Sequence, residues 1–297
     1  MTARDSDLLL EPGTLEKKVI AQTHHGLNCG ALQPIATEFD FIEDQGMRFL
    51  VRILANLERK QKATKAQKQK DPDFNPFLPY EADLFVTDIS RTHLCLLNKY
   101  NVVENHILIV TREFEEQDSW LNYADLEALW ACMAEIDGLG FYNGGTRAGA
   151  SQRHKHLQLT PLPMAPDRSA LPLEAFLSDL PPGAVSNTTG LPFHHAAIAL
   201  PPRFETTAAD WLTHAYKQLM GAIAIDLMQP QPNQPYNLLL TRRWMLAIPR
   251  SQESSQGISV NSLGFAGSLL VKNAAQRQEL QQLGPMNLLQ AVAYPAI

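Results

Sequence analysis

Cysteine is scarce in this chain, and positive charge is scarcer than negative. Cys29, Cys95 and Cys132 are the only three cysteines. They are odd in number and far apart, which excludes a complete disulfide framework and any Cys-x-x-Cys metal or redox motif. Free thiols in a reducing compartment are the expectation. Against 31 acidic residues stand 25 Lys and Arg, a formal net charge of -6, which argues against a general nucleic-acid binder. Long hydrophobic runs are missing too. Residues 1–7 are polar and no apolar stretch of membrane-spanning length follows. Neither a secretory signal nor a membrane span is expected, and a cytoplasmic location is the default. The chain has 297 residues, 45% of them hydrophobic, enough for a substantial core in one large domain or two.

The most informative segment is His154-Lys155-His156-Leu157-Gln158. In a β-strand alternate side chains share a face. His154, His156, Gln158 and Thr160 would then line one side, and Lys155, Leu157 and Leu159 the other. A buried polar row costs free energy unless it has partners, and a ligand would supply them. The preceding residues 142–153 contain Gly144, Gly145 and Gly149 with Arg147, Ser151, Gln152 and Arg153. Such a loop brings backbone N–H groups close to an anion. Two other readings stand beside nucleotide chemistry. A histidine on a strand can be structural, and His-x-His is a usual metal-ligand spacing, although the neighbourhood offers no third ligand and no protein metal site is evident.

Elsewhere the pattern alternates between helix and strand. Leu50, Val51, Leu54 and Leu57 read as a helical stripe. Residues 84–86, 93–97 and 106–111 read as strands, with an antiparallel hairpin across 98–105. The clearest helix spans 123–137, where Leu126, Leu129, Trp130, Met133 and Ile136 form one apolar face, Asn122 caps the start and Gly138 the end. It should pack behind the sheet, where Leu157 and Leu159 point. Residues 161–202 are proline-rich and read as a surface wrap. A second helix is expected over 208–228, then strands at 236–241 and 244–248 joined by Arg242-Arg243, and another at Leu269-Leu270-Val271. Of the chain's eleven lysines, Lys60, Lys62, Lys65, Lys68 and Lys70 fall within 59–70. This is either a solvated loop or an electrostatic gate for a polyphosphate, with Lys60 and Lys65 as its contacts. The paired His24-His25 and His194-His195 read as surface features.

His-x-His-x-Gln after a glycine- and serine-rich loop resembles the histidine-triad superfamily in its nucleotidylyltransferase branch, where glutamine replaces the third histidine. Within that branch the chain resembles the diadenosine tetraphosphate phosphorylases, or ATP adenylyltransferases. The likeness extends to Asn75-Pro76-Phe77, Leu97-Asn98-Lys99-Tyr100-Asn101-Val102-Val103, Phe141-Tyr142-Asn143-Gly144-Gly145, Ala148-Gly149-Ala150-Ser151-Gln152, Tyr236-Asn237-Leu238-Leu239-Leu240-Thr241 and Gly264-Phe265-Ala266-Gly267.

The resemblance implies an α+β fold. A histidine-triad-like antiparallel sheet over 35–165 would be flanked by helices, and a C-terminal portion over 166–297 would complete one catalytic unit. It implies reversible phosphorolysis of diadenosine tetraphosphate to ATP and ADP through a nucleotidyl group on His156, with sulfate able to replace phosphate in a side reaction. His154 would orient groups or handle a proton. Gln158 would hold a phosphate oxygen and favour transfer over hydrolysis. Ser151 and Gln152 match α-phosphate contacts, Asn98 a ribose contact, and Asn143 a further site residue; Lys272 would reach the polyphosphate. Magnesium or another divalent ion would travel with the substrate, with no covalently bound cofactor. Imidazole also needs an acceptor for its other nitrogen, and a carbonyl of residues 143–145 is a candidate. Two alternatives remain. A hexose-1-phosphate nucleotidylyltransferase would have proline where Lys155 stands, and zinc cysteines. A non-catalytic nucleotide sensor would have no need of His156.

Overall fold

Leu94, Leu96, Leu108 and Val110 alternate with Cys95, Leu97, Ile107 and Ile109, so both sides of their hairpin are apolar and both must be covered. That requirement organises the molecule, a computed structural model describing residues 7–54, 74–165, 171–187 and 189–296. Leu57 and the lysine cluster, Lys60 and Lys65 included, lie outside the described residues.

The hairpin is β4 (His93–Leu97) with β5 (Ile107–Thr111), flanked by β3 (Phe85–Asp88), β6 (Gly138–Gly144) and β7 (His156–Pro161). The sheet continues into the C-terminal part through β8 (Val185–Ser186), β9 (Ala196–Ala199), β10 (Tyr236–Leu240) and β11 (Trp244–Pro249). Its nine strands run in the order β3-β4-β5-β7-β6-β10-β11-β9-β8, and every neighbouring pair is antiparallel. The join between the halves is the β6–β10 pair, with Asn143 opposite Asn237.

One face of the sheet is covered by α1 (Leu15–Cys29), α2 (Tyr123–Glu135) and α3 (Ala208–Ala222), whose apolar stripes bury Leu157, Leu159, Ile107 and Leu238. The other face is covered in two patches. Phe77 lies over Leu94, Leu96, Leu108 and Val110. Phe141, Leu239 and Leu246 meet a layer built from β1 (Thr37–Asp44), β2 (Met47–Leu54) and, after the short ribbon β12 (Ser254–Ser255) and β13 (Ile258–Ser259), α4 (Ser262–Phe265), β14 (Ser268–Val271), α5 (Ala274–Leu283) and α6 (Pro285–Val292). There β14 pairs in parallel with β2.

The expected strands at 84–86, 93–97, 106–111, 236–241, 244–248 and 269–271 are present within a residue or two. Helix α2 has the expected Asn122 cap, reinforced by a capping box with Asp125. It ends at Ile136 in extended geometry; Gly138 does not cap it but opens β6. A Cβ there would lie 2.4 Å from the Thr160 carbonyl oxygen. The stripe at Leu50, Val51 and Leu54 belongs to strand β2, not a helix. Gln45 and Gly46, at φ 46° and 83°, form a two-residue turn that folds β2 back on β1 in register from Asp44↔Met47 to Thr37↔Leu54. Helix α3 stops at Ala222, with Ala224 at φ 60°, short of the end expected at 228. The proline-rich stretch is more than a surface wrap: it supplies β8 and β9 and buries Leu171, Leu173, Leu191 and Phe193.

Candidate active site

The motif strand lies centrally in the sheet. Pairing places Val110 opposite His156 and Leu108 opposite Gln158, so both motif side chains emerge on the face away from the three long helices. They sit between the Phe77 patch and Phe141. The strand begins at His156 and not at His154, which makes an isolated bridge with Glu116. Lys155, Leu157 and Leu159 point back, as alternation requires. Buried Lys155 meets Asp125 at 2.7 Å, and its Nζ donates to the Trp120 carbonyl at 2.8 Å. Asp125 also takes a bond from His93 Nε2 at 3.0 Å. Burial pushes the Asp125 carboxyl up, but His93 and Lys155 outweigh it and hold the group below its ordinary value.

His156 Nδ1 lies 2.8 Å from the His154 carbonyl oxygen. A carbonyl only accepts, so the ring proton sits on Nδ1 and the lone pair on Nε2. Nε2 has no hydrogen-bond partner among the described residues. The ring is 4% exposed by residue, and burial lowers its pKa to about 4, so it is neutral at pH 7. The carbonyls of 143–145 do not serve it. That of Asn143 is already taken, accepting from Gln117 Nε2 at 3.0 Å and from the Gly145 N–H at 2.9 Å.

His154 uses both ring nitrogens. Nε2 donates to the Thr111 carbonyl at 2.8 Å and Nδ1 accepts from Asn75 Nδ2 at 2.9 Å. Burial lowers its pKa as well. Phe77 stands against both imidazoles, with ring centroids 5.6 Å from His154 and 5.3 Å from His156. Gln158 is oriented by a relay: Asn98 Nδ2 donates to His106 Nδ1 at 3.2 Å, and His106 Nε2 donates to Gln158 Oε1 at 3.0 Å. With its oxygen engaged, Gln158 has its amide N–H groups to offer. Burial lowers the His106 pKa to about 4, which keeps this relay neutral.

Gln117 performs a third piece of positioning. The β6–β7 ladder ends at Phe141↔Gln158; continued, it would set Asn143 against His156. The Gln117 amide is inserted there instead. Its Oε1 accepts from the His156 N–H at 2.8 Å, and its Nε2 donates to the carbonyls of Asn143 at 3.0 Å and His156 at 3.1 Å. The two strands are thereby held apart where His156 emerges.

The glycine loop differs from its expected role. The N–H groups of Gly145, Ala148, Gly149 and Ala150 are bonded to carbonyls of the loop itself, so they hold its turn and do not cradle an anion. Gly149, at φ 91°, has no room for a Cβ, which would approach Asn261 Cβ to 2.7 Å. Ser151 is exposed and Gln152 half-buried on the approach to His154. Asn143 is buried, with Oδ1 accepting from Asn237 Nδ2 at 2.8 Å, Ser262 Oγ at 2.8 Å and the Ser262 N–H at 3.0 Å. Lys272 is exposed at the end of β14 and is not among the side chains gathered around His156. His194 and His195 are buried, not surface features: β9 follows them directly, and His195 is held by the Phe193 carbonyl at 2.7 Å and Thr189 Oγ1 at 2.8 Å. His24 and His25 are exposed, on a helix.

Residues 5–179 match the family model described as the Ap4A phosphorylase N-terminal domain, and residues 189–295 match that of the ATP adenylyltransferase C-terminal domain. The chain belongs to the Ap4A phosphorylase family. It is 30% identical to diadenosine 5',5'''-P1,P4-tetraphosphate phosphorylase 2 of Saccharomyces cerevisiae, over 80% of this chain and 79% of that protein. It is 28% identical to Protein APA1 of the same yeast, over 82% of each. Crystal structures of yeast Ap4A phosphorylase Apa2 superpose with a TM-score of 0.79 for the complex with AMP and 0.78 for the complex with Ap4A; in both cases identity is 25% and coverage 96% of this chain and 99% of the other. Five residues join the site of this family member that no motif reading had placed there: Asn75, Phe77, His106, Thr111 and Gln117. Asn75-Pro76-Phe77 was visible as a family string. His106 and Gln117 carried no signal of their own, because each acts on a motif residue far along the chain, His106 on Gln158 and Gln117 on His156.

Proposed function

We propose that this chain is an Ap4A phosphorylase that works through a nucleotidyl group on His156. The observation that carries the reading is a neutral, buried imidazole with Nδ1–H fixed on a carbonyl and Nε2 unengaged, beside a glutamine amide whose oxygen is already bonded. Nε2 attacks the α-phosphorus of diadenosine tetraphosphate, the bond to the bridging oxygen breaks, and ATP leaves. The imidazole becomes cationic as it bonds phosphorus, and the His154 carbonyl on Nδ1–H offsets that charge. Inorganic phosphate then attacks the same phosphorus from solvent, ADP departs and His156 returns to its neutral form. Gln158 donates to a non-bridging oxygen in both steps. An amide cannot take a proton from water at neutral pH, which favours phosphate as the second nucleophile.

His154, with both nitrogens bonded, orients the nucleophile. Ser151 and Gln152 approach the α-phosphate, Asn98 contacts the ribose while steadying Gln158 through His106, and Lys272 serves the distal phosphates. A divalent ion, magnesium first, accompanies the polyphosphate. The two halves act as one catalytic unit, in the cytoplasm. No described residue favours the hexose-1-phosphate or sensor readings. The test is incubation with diadenosine tetraphosphate, with and without inorganic phosphate. Equal yields of ATP and ADP that require phosphate, with acid-labile adenylate on the protein when phosphate is omitted, are expected. Cleavage to AMP and ATP at a rate indifferent to phosphate would overturn the reading.

A further inference from the structure

Far along the chain from the motif strand, the last turns of α1 face the residues that lead into β3. Gln22 Nε2 donates to the Asp83 carbonyl at 2.7 Å, and His25 Nε2 bonds Asp83 Oδ1 at 2.8 Å. Gly26 lets the two segments close up: a Cβ there would stand 3.0 Å from Leu32 Cβ and 3.6 Å from the Asp83 carbonyl oxygen. Cys29, one helical turn beyond His25, brings a thiol to the same place. The three donor atoms of His25, Cys29 and Asp83 all lie within 4.8 Å of one another, and all three residues are exposed. None of them takes part in the proposed reaction.

We propose that His25, Cys29 and Asp83 form a surface site for a thiophilic divalent cation of the zinc class, with water as the fourth ligand. Spacing i, i+4 puts His25 and Cys29 on one helix face. Asp83 comes from a second element, with its backbone tied to α1 by Gln22 and its carboxylate turned to His25. One sulfur, one nitrogen and one oxygen donor is a set suited to zinc, and unsuited to magnesium or calcium, which take oxygen. A thiolate and a carboxylate supply two negative charges against the ion's two positive ones. Binding releases the thiol proton and leaves the imidazole neutral, its proton moving to Nδ1. An exposed His–Asp contact by itself stabilises little and gives no reason for a thiol beside it. The ion would staple α1 to the edge of the sheet. The same edge carries the Asn98 loop, since the Gln33 N–H donates to the Lys99 carbonyl at 2.8 Å and Lys99 Nζ meets Glu81 Oε2 at 2.6 Å.

The experiment titrates metal-free, full-length protein with zinc by calorimetry and with cobalt(II) by absorption. One equivalent should bind, about one proton should leave per ion, and cobalt should show a thiolate charge-transfer band with tetrahedral visible bands. Changes in a metal's outer shell alone weaken binding by about 10- to 100-fold. Cys29→Ser, His25→Ala and Asp83→Asn, which remove direct ligands, should therefore each weaken it by roughly 100-fold or more, and Cys29→Ser should erase the charge-transfer band. Zinc should raise the melting temperature of the wild type and not of Cys29→Ser. A second readout needs no variant: Cys29 is exposed while Cys95 and Cys132 are buried, so zinc should slow iodoacetamide labelling of the native protein. Unchanged affinity in the three variants, octahedral cobalt without a thiolate band, or labelling indifferent to zinc would each overturn the proposal.

Discussion

His156 is reached through a single free nitrogen, and its chemistry follows from that. His156→Ala removes the atom that would bond phosphorus. Turnover should fall at least about a thousandfold, roughly 4 kcal/mol of barrier, and near-normal phosphorolysis would refute the assignment. Burial also sets the pH response. His156 and His106 titrate near pH 4 in the folded protein and near 6.5 when unfolded. Between those values the unfolded chain binds more protons. The folded state therefore loses about 1.4 kcal/mol per pH unit for each histidine as pH falls from about 6.5 towards 4, and neither contributes above that window. Denaturant melts at pH 7.5, 6 and 5 should show the decline, and His106→Asn should reduce its slope; equal slopes would mean His106 is protonated in the fold. Gln158→Glu adds a carboxylate at the phosphate and a group able to accept a proton. The AMP to ADP ratio should rise, and an unchanged ratio with intact folding would remove Gln158 from the choice of nucleophile.

At the level of elements, legibility in the sequence followed locality. The motif face, the Asn122 cap of α2 and the β4–β5 hairpin were readable because alternation and caps are set by neighbours in the chain. The stripe at Leu50, Val51 and Leu54 fits two periods, and only the Gln45-Gly46 turn decides for strand β2. The acceptor for His156 was sought in the glycine loop. Gln117 pre-empts that loop's carbonyl, and nothing in Glu116-Gln117-Asp118 announces a side chain that will enter a ladder between two other strands. Gln117→Leu would leave the His156 N–H and the His156 carbonyl short of partners in a dry place. A loss of about 2–4 kcal/mol is expected, with single-turnover adenylation of His156 slowed beyond what the unfolded fraction explains. Wild-type stability and rate in that variant would show that the ladder tolerates the gap.

For the whole molecule, the decisive seam is between β6 and β10. Buried Asn237 donates to Asn143 Oδ1 at 2.8 Å and to the Ala148 carbonyl at 2.9 Å. Arg250, buried and lowered to about 10 by that burial, donates to Asn237 Oδ1 at 2.6 Å. Each half thus satisfies polar groups the other has buried. Residues 1–180 and 189–297 made separately should show no cooperative unfolding, and co-expression should restore phosphorolysis; a stable, cooperatively melting half would contradict this. The same entanglement has a bearing on synthesis. Strand β2 lies within the first fifth of the chain, yet its parallel neighbour β14 pairs Ser268 with Leu50, and Asp44 accepts the Met286 N–H at 2.8 Å. At about 5–20 residues per second, a ribosome would take roughly 10–40 s to deliver the cover after the hairpin has emerged. Through that interval Phe49 and Val51, both 0% exposed in the finished protein, face the cell without their final neighbours, so a stall late in translation leaves a nascent chain dependent on chaperones.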